Sequence, residues 1–290
     1  MCAVTEPAGG TGTGAAEPRW GFASSTGQDF THVSIVDAHF TACRDTYRAL
    51  LDRAGIPRGA HVLDAGCGSG SFLPWLAEAV GPHGRVSAVD LADEHVALAG
   101  QNVLAWGLPT PIDIRRASVL DLPFDDGSLD AVWCANTVQY LDDDELRKAL
   151  GEMRRVLRPG GVVAVKDLDA SLVKLLPGDP HLLPDFFRRE AQVPGYSRQL
   201  LRSGELYRFL REAGFSAVRQ QTVLIEHFAP LTAEAADFYR RTCANLAARA
   251  IAAGLPGAWE PLLDTASADH PLDHPDGYIC EGNVVAVGTA

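Results

Sequence analysis

The chain has few of the features that mark binding to metal or to nucleic acid. It contains three lysines, and none of its six cysteines is spaced C-x-x-C with another. Without such pairs the sequence offers no zinc framework and no disulfide scaffold, so we expect reduced thiols and no metal site. The formal net charge is −12, from 25 basic and 37 acidic residues. An acidic balance argues against gripping a nucleic-acid backbone, so we expect no nucleic-acid partner.

Features of a membrane or secreted protein are also missing. No apolar run approaches the roughly 20 residues of a membrane-spanning helix. The first residues lack the basic start and apolar stretch of a secretory signal. Residues 1–18 are rich in Gly, Ala, Thr, Pro and Glu, a composition that buries too little surface to order itself. We therefore expect a disordered tail over 1–18 and a cytoplasmic protein with no membrane contact.

What the chain does contain is a regular alternation of strand and helix patterns. Apolar runs at HVLDAG, RVSAVD, PIDIRRA, LDAVWCAN and VVAVKDLD read as strands, and helical patterns separate most of them. Such repetition, with strands that are apolar rather than alternating, indicates a parallel sheet covered on both faces. Two later runs, FSAVRQQTVLIEHF and NVVAVGT, add strands. We predict an α/β fold, a Rossmann-like, doubly wound and mostly parallel seven-stranded sheet.

A glycine-rich turn follows the first predicted strand. In VLDAGCGSG, glycines at 66, 68 and 70 allow a ligand to lie against bare backbone. By itself this signal is weak, because many nucleotide-binding folds use one. Asp90 ends the second strand, where a carboxylate accepts hydrogen bonds from a ribose diol. The dinucleotide pattern is broken by Ser71, and the chain has neither a Tyr–Lys pair four residues apart nor a G-K-[ST] motif.

Four motifs in order resemble one family. VLDAGCGSG, the acid of VSAVD, LDLPFDDGSLDAVWC and MRRVLRPGG are together similar to the class I S-adenosylmethionine-dependent methyltransferases, in the branch of quinone-biosynthesis and small-molecule natural-product enzymes. The resemblance covers residues 45–168 well and the rest loosely. It implies S-adenosylmethionine as cofactor and a small-molecule acceptor.

Carried over by position, the resemblance assigns a set of cofactor contacts. Around the methionine moiety it places Asp64, Gly66, Gly68 and Gly70. On the ribose it places Asp90, and beside the adenine Leu91, Ser118 and Val119. Near the methionyl amino group it places Ala135 and Asn136. Many relatives carry G-D-A where this chain has Ala117, Ser118 and Val119, so the adenine amino group would meet a serine hydroxyl rather than an aspartate.

Catalytic residues are harder to assign, because the sulfonium methyl is already activated and alignment alone lowers the barrier. A base is needed only for a protonated acceptor. His227, at the end of the sixth strand, and Tyr140, after the fourth, are the candidates for catalysis; either also suits a structural role. His39 and Tyr47 lie on an N-terminal helical pattern that would close over the cofactor, with Tyr47 suited to the core.

Two insertions interrupt the last part of the sheet. We predict one methyltransferase domain over 19–290, with a cofactor-binding core of about 45–168 and helical lid insertions at about 170–202 and 230–277. The lid would exclude water and shape the acceptor cavity. Alternatively these segments thicken the sheet edge or build a contact between copies, so a homo-oligomer is possible.

The predicted function is methyl transfer to a small molecule, in secondary metabolism, chiefly by proximity and alignment. Two other readings stay open at this point. One is a methyltransferase acting on protein or RNA, which the acidic charge disfavours. The other is a protein that binds the cofactor and catalyses a non-methylating reaction such as a cyclisation.

Overall fold

A computed structural model describes residues 23–28 and 30–290 of the chain. The predicted disordered tail, residues 1–18, lies outside the described residues. Within the described ranges, no helix is both long and apolar enough to cross a bilayer.

One seven-stranded sheet organises the fold, in the order β3-β2-β1-β4-β5-β7-β6. Its strands are β1 (His61–Ala65), β2 (Arg85–Asp90), β3 (Ile112–Arg116), β4 (Leu129–Ala135), β5 (Leu157–Leu176), β6 (Ser216–Phe228) and β7 (Tyr278–Thr289). The pairings among β1 to β5 are parallel, and β7 runs antiparallel to both β5 and β6. The predicted α/β, mostly parallel seven-stranded sheet is confirmed.

Helices cover both faces of the sheet. They are α1 (Val33–Ala42), α2 (Arg44–Asp52), α3 (Leu73–Val80), α4 (Asp93–Trp106), α5 (Asp143–Val156), α6 (Leu182–Glu190), α7 (Tyr196–Arg202), α8 (Leu206–Glu212) and α9 (Ala233–Ala252). The start of α5 follows from its sequence: the Asp142 carboxylate accepts the N–H groups of Asp144 and Glu145, while the Glu145 carboxylate accepts the N–H of Asp142. This reciprocal cap satisfies donors that a helix start leaves free.

The fifth and seventh strands are longer than their apolar runs predict. VVAVKDLD and NVVAVGT account for residues 162–169 and 283–289, but β5 continues to Leu176 and β7 begins at Tyr278. The extensions pair with each other, Leu176 opposite Tyr278, beyond an irregularity between Asp169 and Lys174. The first residues of the predicted 170–202 insertion are therefore strand. Interstrand hydrogen bonding, which local composition does not encode, stabilises them.

Successive residues of a strand belong to two different hydrophobic cores, one on each face of the sheet. Val62 packs with α2 and α3, whereas its neighbour Leu63 packs with α5 and α8. A third apolar cluster joins α1, α6, α7 and α9. The two predicted insertions thus pack against each other and against the N-terminal helix, next to the sheet rather than within its core.

We expect side chains buried between the helices and the sheet to contribute most to the stability of the fold. Leu150 on α5 is fully buried, whereas Leu104 on α4 is 85% exposed. Leu150→Ala should lower the free energy of unfolding by about 2–5 kcal/mol, because it removes buried methyl groups and leaves a cavity. Leu104→Ala, the matched control, should change it by less than about 0.5 kcal/mol. Urea unfolding of both variants measures this, and equal effects would show that the burial pattern is wrong.

Candidate functional site

A cavity of about 410 Å³ opens at the carboxyl ends of the parallel strands. It lies where the strand order reverses between β1 and β4, the usual place for a ligand in an open α/β sheet. The glycine turn after β1, the end of β2 and the residues after β4 form one side. The two insertions and α1 form the other.

Most of the sequence-predicted cofactor residues are brought together on the first side of the cavity. Those that line it are Gly66, Gly68, Asp90, Leu91, Ser118, Val119, Ala135 and Asn136. Asp64 and Gly70 are not among the lining residues. The reason for Gly70 is geometric: at a φ of +87° its Cα faces Leu73 and Ala99, so it packs the start of α3 against α4 rather than facing the cavity.

The glycines of the turn have different roles. A Cβ built on Gly66, whose φ is +86°, would lie 2.2 Å from Oγ1 of Thr137, so this position lets the turn contact the residues after β4. A Cβ on Gly68 would meet only Val36, at 3.7 Å. Gly66 is therefore fixed by packing, while Gly68 presents open backbone to the cavity.

Asp90 connects the glycine turn to the start of α4. Its Oδ2 accepts the N–H of Gly68 at 2.8 Å, and its Oδ1 accepts the N–H of Ala92 at 2.9 Å. Oδ2 keeps one acceptor position for a further donor, whereas the second position of Oδ1 faces Nδ1 of His95 at 3.4 Å, a contact longer than an ordinary hydrogen bond. The side chain thus shapes the turn and still offers an acceptor to the cavity.

The wall predicted to face an adenine combines one polar and one apolar side chain. The Ser118 hydroxyl accepts the N–H of Leu120 at 3.1 Å and keeps its own O–H and one lone pair. Leu91 is 52% exposed at the cavity rim and leaves an apolar face for a flat ring.

Asp64 lies beneath the turn rather than in the cavity wall. It is buried at the end of β1, and its Oδ2 has no hydrogen-bond partner among the described residues. Burial and the nearby Asp90 charge raise the pKa of Asp64 to about 8. A carboxyl group in this state is protonated at neutral pH and acts as a hydrogen-bond donor.

Behind Asn136 lies a buried lysine. Asn136 has a φ of +53°, and its Oδ1 accepts a hydrogen bond of 2.6 Å from Nζ of Lys166. That ammonium lies 3.7 Å from the centre of the Tyr47 ring. Burial lowers the pKa of Lys166 to about 8, although the charge of Glu281 opposes the shift. Tyr47 is 1% exposed, in agreement with the predicted core position.

The far end of the cavity is mostly apolar, with one polar corner and the Thr242 side chain of α9 also in its lining. Side chains of the two insertions line it, among them Leu183, Phe187, Tyr196, Leu200, Phe238, Tyr239 and Leu246. The polar corner consists of His39 and Glu281, whose side chains also line the cavity. Nε2 of His39 lies 2.9 and 3.1 Å from the two oxygens of Glu281.

Hydrogen bonds hold the Glu281 carboxylate from several sides. Nδ2 of Asn283 donates to Oε1 at 2.8 Å, and Sγ of Cys43 lies 3.6 Å from the same atom. Burial would raise the pKa of Glu281, but His39, Lys166 and Asn283 together lower it to about 2. The side chains of His39, Cys43 and Glu281 lie within 4.8 Å of one another and are joined by these hydrogen bonds, and burial raises the pKa of the Cys43 thiol.

The two residues predicted for catalysis have different positions. Tyr140 lines the cavity; its ring stacks on Tyr196 at 5.3 Å, and its hydroxyl donates to the carbonyl of Phe30 at 3.2 Å. His227 does not line the cavity. It belongs to the edge strand β6, and its ring centre lies 5.1 Å from that of Tyr239, a residue that does line the cavity.

Sequence reasoning missed Glu281. The predicted seventh strand begins two residues after it, so the residue fell outside every element. An acid and an amide within the apolar run ICEGNVVAV were the available signal, because a charged residue inside a buried strand needs a partner.

Comparison with known proteins agrees with this geometry. Residues 62–161 match a family model described as a methyltransferase domain. The demethylmenaquinone methyltransferase of Geobacillus stearothermophilus is 31% identical over 164 residues, which cover 57% of this chain and 67% of that protein. The 2-phytyl-1,4-beta-naphthoquinone methyltransferase of Arabidopsis thaliana is 38% identical over 120 residues, 41% of this chain and 45% of that protein. Several curated relatives are matched over about half their length.

The fold has solved counterparts as well. The YcgJ protein of Bacillus subtilis aligns with a TM-score of 0.52 at 20% identity, over 83% of this chain and 97% of that structure. Strand order, the glycine turn and the acid after β2 define the class I fold of methyl-transferring proteins. Taken with the demethylmenaquinone methyltransferase match, they show that the chain belongs to the S-adenosylmethionine-dependent methyltransferases, whose cofactor is S-adenosylmethionine.

We expect Gly66 to tolerate no side chain. Gly66→Ala should lower the free energy of unfolding by about 2 kcal/mol or more, because a left-handed backbone alone costs about 1–2 kcal/mol and the new Cβ would collide with Thr137. Gly100→Ala on α4 is the matched control: a Cβ there meets nothing within 4 Å, so it should stabilise the helix by about 0.5–1 kcal/mol. Denaturant unfolding measures both. A Gly66→Ala variant as stable as the wild type would contradict the assigned turn geometry.

Asp64 should also leave a signature in the pH dependence of stability. Its folded-state pKa is raised, so between about pH 4 and 8 the native state keeps a proton that the unfolded state has released, and stability falls as pH rises. Asp167, whose pKa burial raises to about 7, adds to the same trend. From pH 5 to 7, Asp64→Asn should remove about 2 kcal/mol of this loss. The control is Asp125→Asn, at an exposed position. Denaturant unfolding at several pH values measures the free energy of unfolding of each protein, and the same slope against pH in the wild type and both variants would contradict the prediction.

Proposed function

We propose that the protein transfers the methyl group of S-adenosylmethionine to an apolar small-molecule acceptor. The observation that carries the proposal is the continuity of the cavity: one space runs from the glycine turn and Asp90 to the apolar end beneath the two insertions. A donor at the first end and an acceptor at the second would share it. The relatives named for demethylmenaquinone and for a phytyl naphthoquinone support an acceptor that is small and apolar, of the kind made in biosynthetic pathways.

The residues on the first side fit the cofactor. Asp90 offers a ribose diol a free acceptor position on Oδ2 and a second on Oδ1, opposite the long contact from His95. Gly68 presents bare backbone, and Leu91 presents an apolar face beside Ser118 and Val119. Ala135 and Asn136 close the end that would hold the methionyl group. We infer that these residues hold the cofactor, with Asp64 acting from beneath the turn and Gly70 through the packing of α3.

The second side fits the requirements of alignment. S-adenosylmethionine supplies an activated methyl on a sulfonium, so the chain has to hold the acceptor in line with that methyl and keep water out. Apolar and aromatic side chains from both insertions surround the space. We infer that these insertions form the lid of the acceptor site, within a single domain over 19–290.

The net charge of the chain argues against a nucleic-acid substrate. A protein that binds the nucleic-acid backbone needs a basic face, and the chain carries 12 more acidic than basic residues. A non-methylating use of the cofactor would share the same site, and the two differ in whether S-adenosylhomocysteine accumulates when an acceptor is supplied.

The cofactor assignment predicts a specific effect of Asp90. Asp90→Ala should weaken S-adenosylhomocysteine binding about 100-fold, since two hydrogen bonds to a charged acceptor contribute about 1.5–3 kcal/mol each and partly overlap with solvation. Asp93→Ala, three residues later on the exposed start of α4, should leave the dissociation constant within about 2-fold. Isothermal titration calorimetry measures both, with circular dichroism to confirm the fold.

Two results would overturn the assignment. One is an unchanged dissociation constant in the Asp90→Ala variant, which would place the ribose elsewhere. The other is binding of NADH together with no binding of S-adenosylhomocysteine by the wild type.

A further inference from the structure

We propose that His39, held by Glu281, is the general base of the cavity, and that the acceptor is an apolar molecule carrying a weakly acidic hydroxyl group. This inference rests on the proposed function and adds to it a base and a chemical class of acceptor. Neither residue was assigned a catalytic role by the sequence.

Three contacts fix the His39 ring in the cavity wall. Nε2 of His39 bonds to both oxygens of Glu281, at 2.9 and 3.1 Å. One face of the ring stacks on Phe238, with 4.5 Å between ring centres and planes 10° apart. Tyr47 meets the ring edge-on at 5.7 Å. The His39 side chain keeps 16% of its surface exposed, so the ring is held but still reachable from the cavity.

The carboxylate determines which nitrogen can take up a proton. Glu281 is ionised and only accepts hydrogen bonds, so Nε2 of His39 carries the hydrogen and Nδ1 carries the lone pair. The Tyr47 hydroxyl lies 3.2 Å from Nε2 and 3.5 Å from Nδ1 of His39, so its contact with Nδ1 is at the far limit for a hydrogen bond. A carboxylate that orients the imidazole and stabilises its protonated form is the arrangement that makes histidine an effective base.

Charged groups of both signs surround the His39–Glu281 pair. Glu281 contributes one negative charge, and buried Lys166 contributes one positive charge that acts on it. The titratable groups that face the pair from the surrounding elements are Cys43, Tyr47, Lys166, His227 and Tyr239. Because the charge of Lys166 balances that of Glu281, the corner does not call for a cationic acceptor and suits one that is neutral.

The need for a base points to the acceptor class. A neutral hydroxyl oxygen that gained a methyl would become an unstable oxonium unless it lost its proton. In the proposed step Nδ1 of His39 takes the hydroxyl proton, the oxygen forms a bond to the methyl carbon, and the carbon–sulfur bond breaks with its electron pair remaining on sulfur. The apolar walls around the corner, from Leu183 and Phe187 to Leu246, suit the remainder of such a molecule.

The test compares two flat apolar acceptors that differ in acidity. At pH 7.5, 1-naphthol is un-ionised, whereas 2,4-dinitro-1-naphthol has already lost its proton. Wild type, His39→Gln, Glu281→Gln and the exposed control His83→Gln are assayed for methyl transfer to each, with S-adenosylhomocysteine affinity measured in parallel. His227→Gln is included because the sequence also nominated that histidine.

We expect His39→Gln to lower kcat/KM for 1-naphthol about 100-fold or more, the usual contribution of a general base. The same variant should change kcat/KM for the nitrated naphthol by less than about 5-fold, because that acceptor needs no base. Glu281→Gln keeps an oxygen to accept the Nε2 proton but removes the charge, so it should show the same selectivity with a loss of about 10-fold. His83→Gln and His227→Gln should resemble the wild type. The product should carry its methyl on oxygen.

Several results would overturn the inference. Equal losses on both naphthols would show that His39 is structural, and no loss would show that it is not the base. The same selective loss in His227→Gln rather than His39→Gln would move the base to that residue. A wild type that binds S-adenosylhomocysteine but methylates neither naphthol, or methylates carbon, would overturn the acceptor class alone. A wild type that does not bind S-adenosylhomocysteine would instead overturn the proposed function.

Discussion

The hydrogen bonds that Asp90 accepts from Gly68 and Ala92 connect the glycine turn to the residues at the start of α4. Parallel strands deliver the glycine turn and Asp90 to the same edge of the sheet, and this carboxylate then fixes the turn and the start of α4 relative to each other. The packing of Gly66 on Thr137 fixes the turn against the residues after β4. With these contacts in place the backbone of the turn is held open toward the cavity.

A second set of charges lies behind the cavity wall. Lys166 and Glu281 are both buried, on neighbouring strands β5 and β7, and each moderates the cost of burying the other. An uncompensated charge at this depth would be strongly destabilising. Through Asn136 and His39, which these residues contact, the pair acts on both sides of the cavity.

The sequence predicted the part of the molecule in which local pattern and tertiary structure agree. Apolar runs predicted the strands of the sheet. Sequence reasoning did not foresee the extensions of β5 and β7, because Leu176 and Tyr278 are strand residues only through their pairing with each other. The polar corner was missed for the same reason: His39 and Glu281 are 242 residues apart, and no local pattern joins them. The placement of His227 on the edge strand likewise depends on the order of strands in the sheet.

The central claim is that one cavity holds the methyl donor and the acceptor end to end. A crystal structure of the protein with S-adenosylhomocysteine tests it most directly. We predict the ribose hydroxyls within hydrogen-bond distance of Asp90, and the sulfur facing the end of the cavity that holds His39 and Glu281. A nucleoside bound away from Asp90, or a sulfur facing away from that end, would contradict the account.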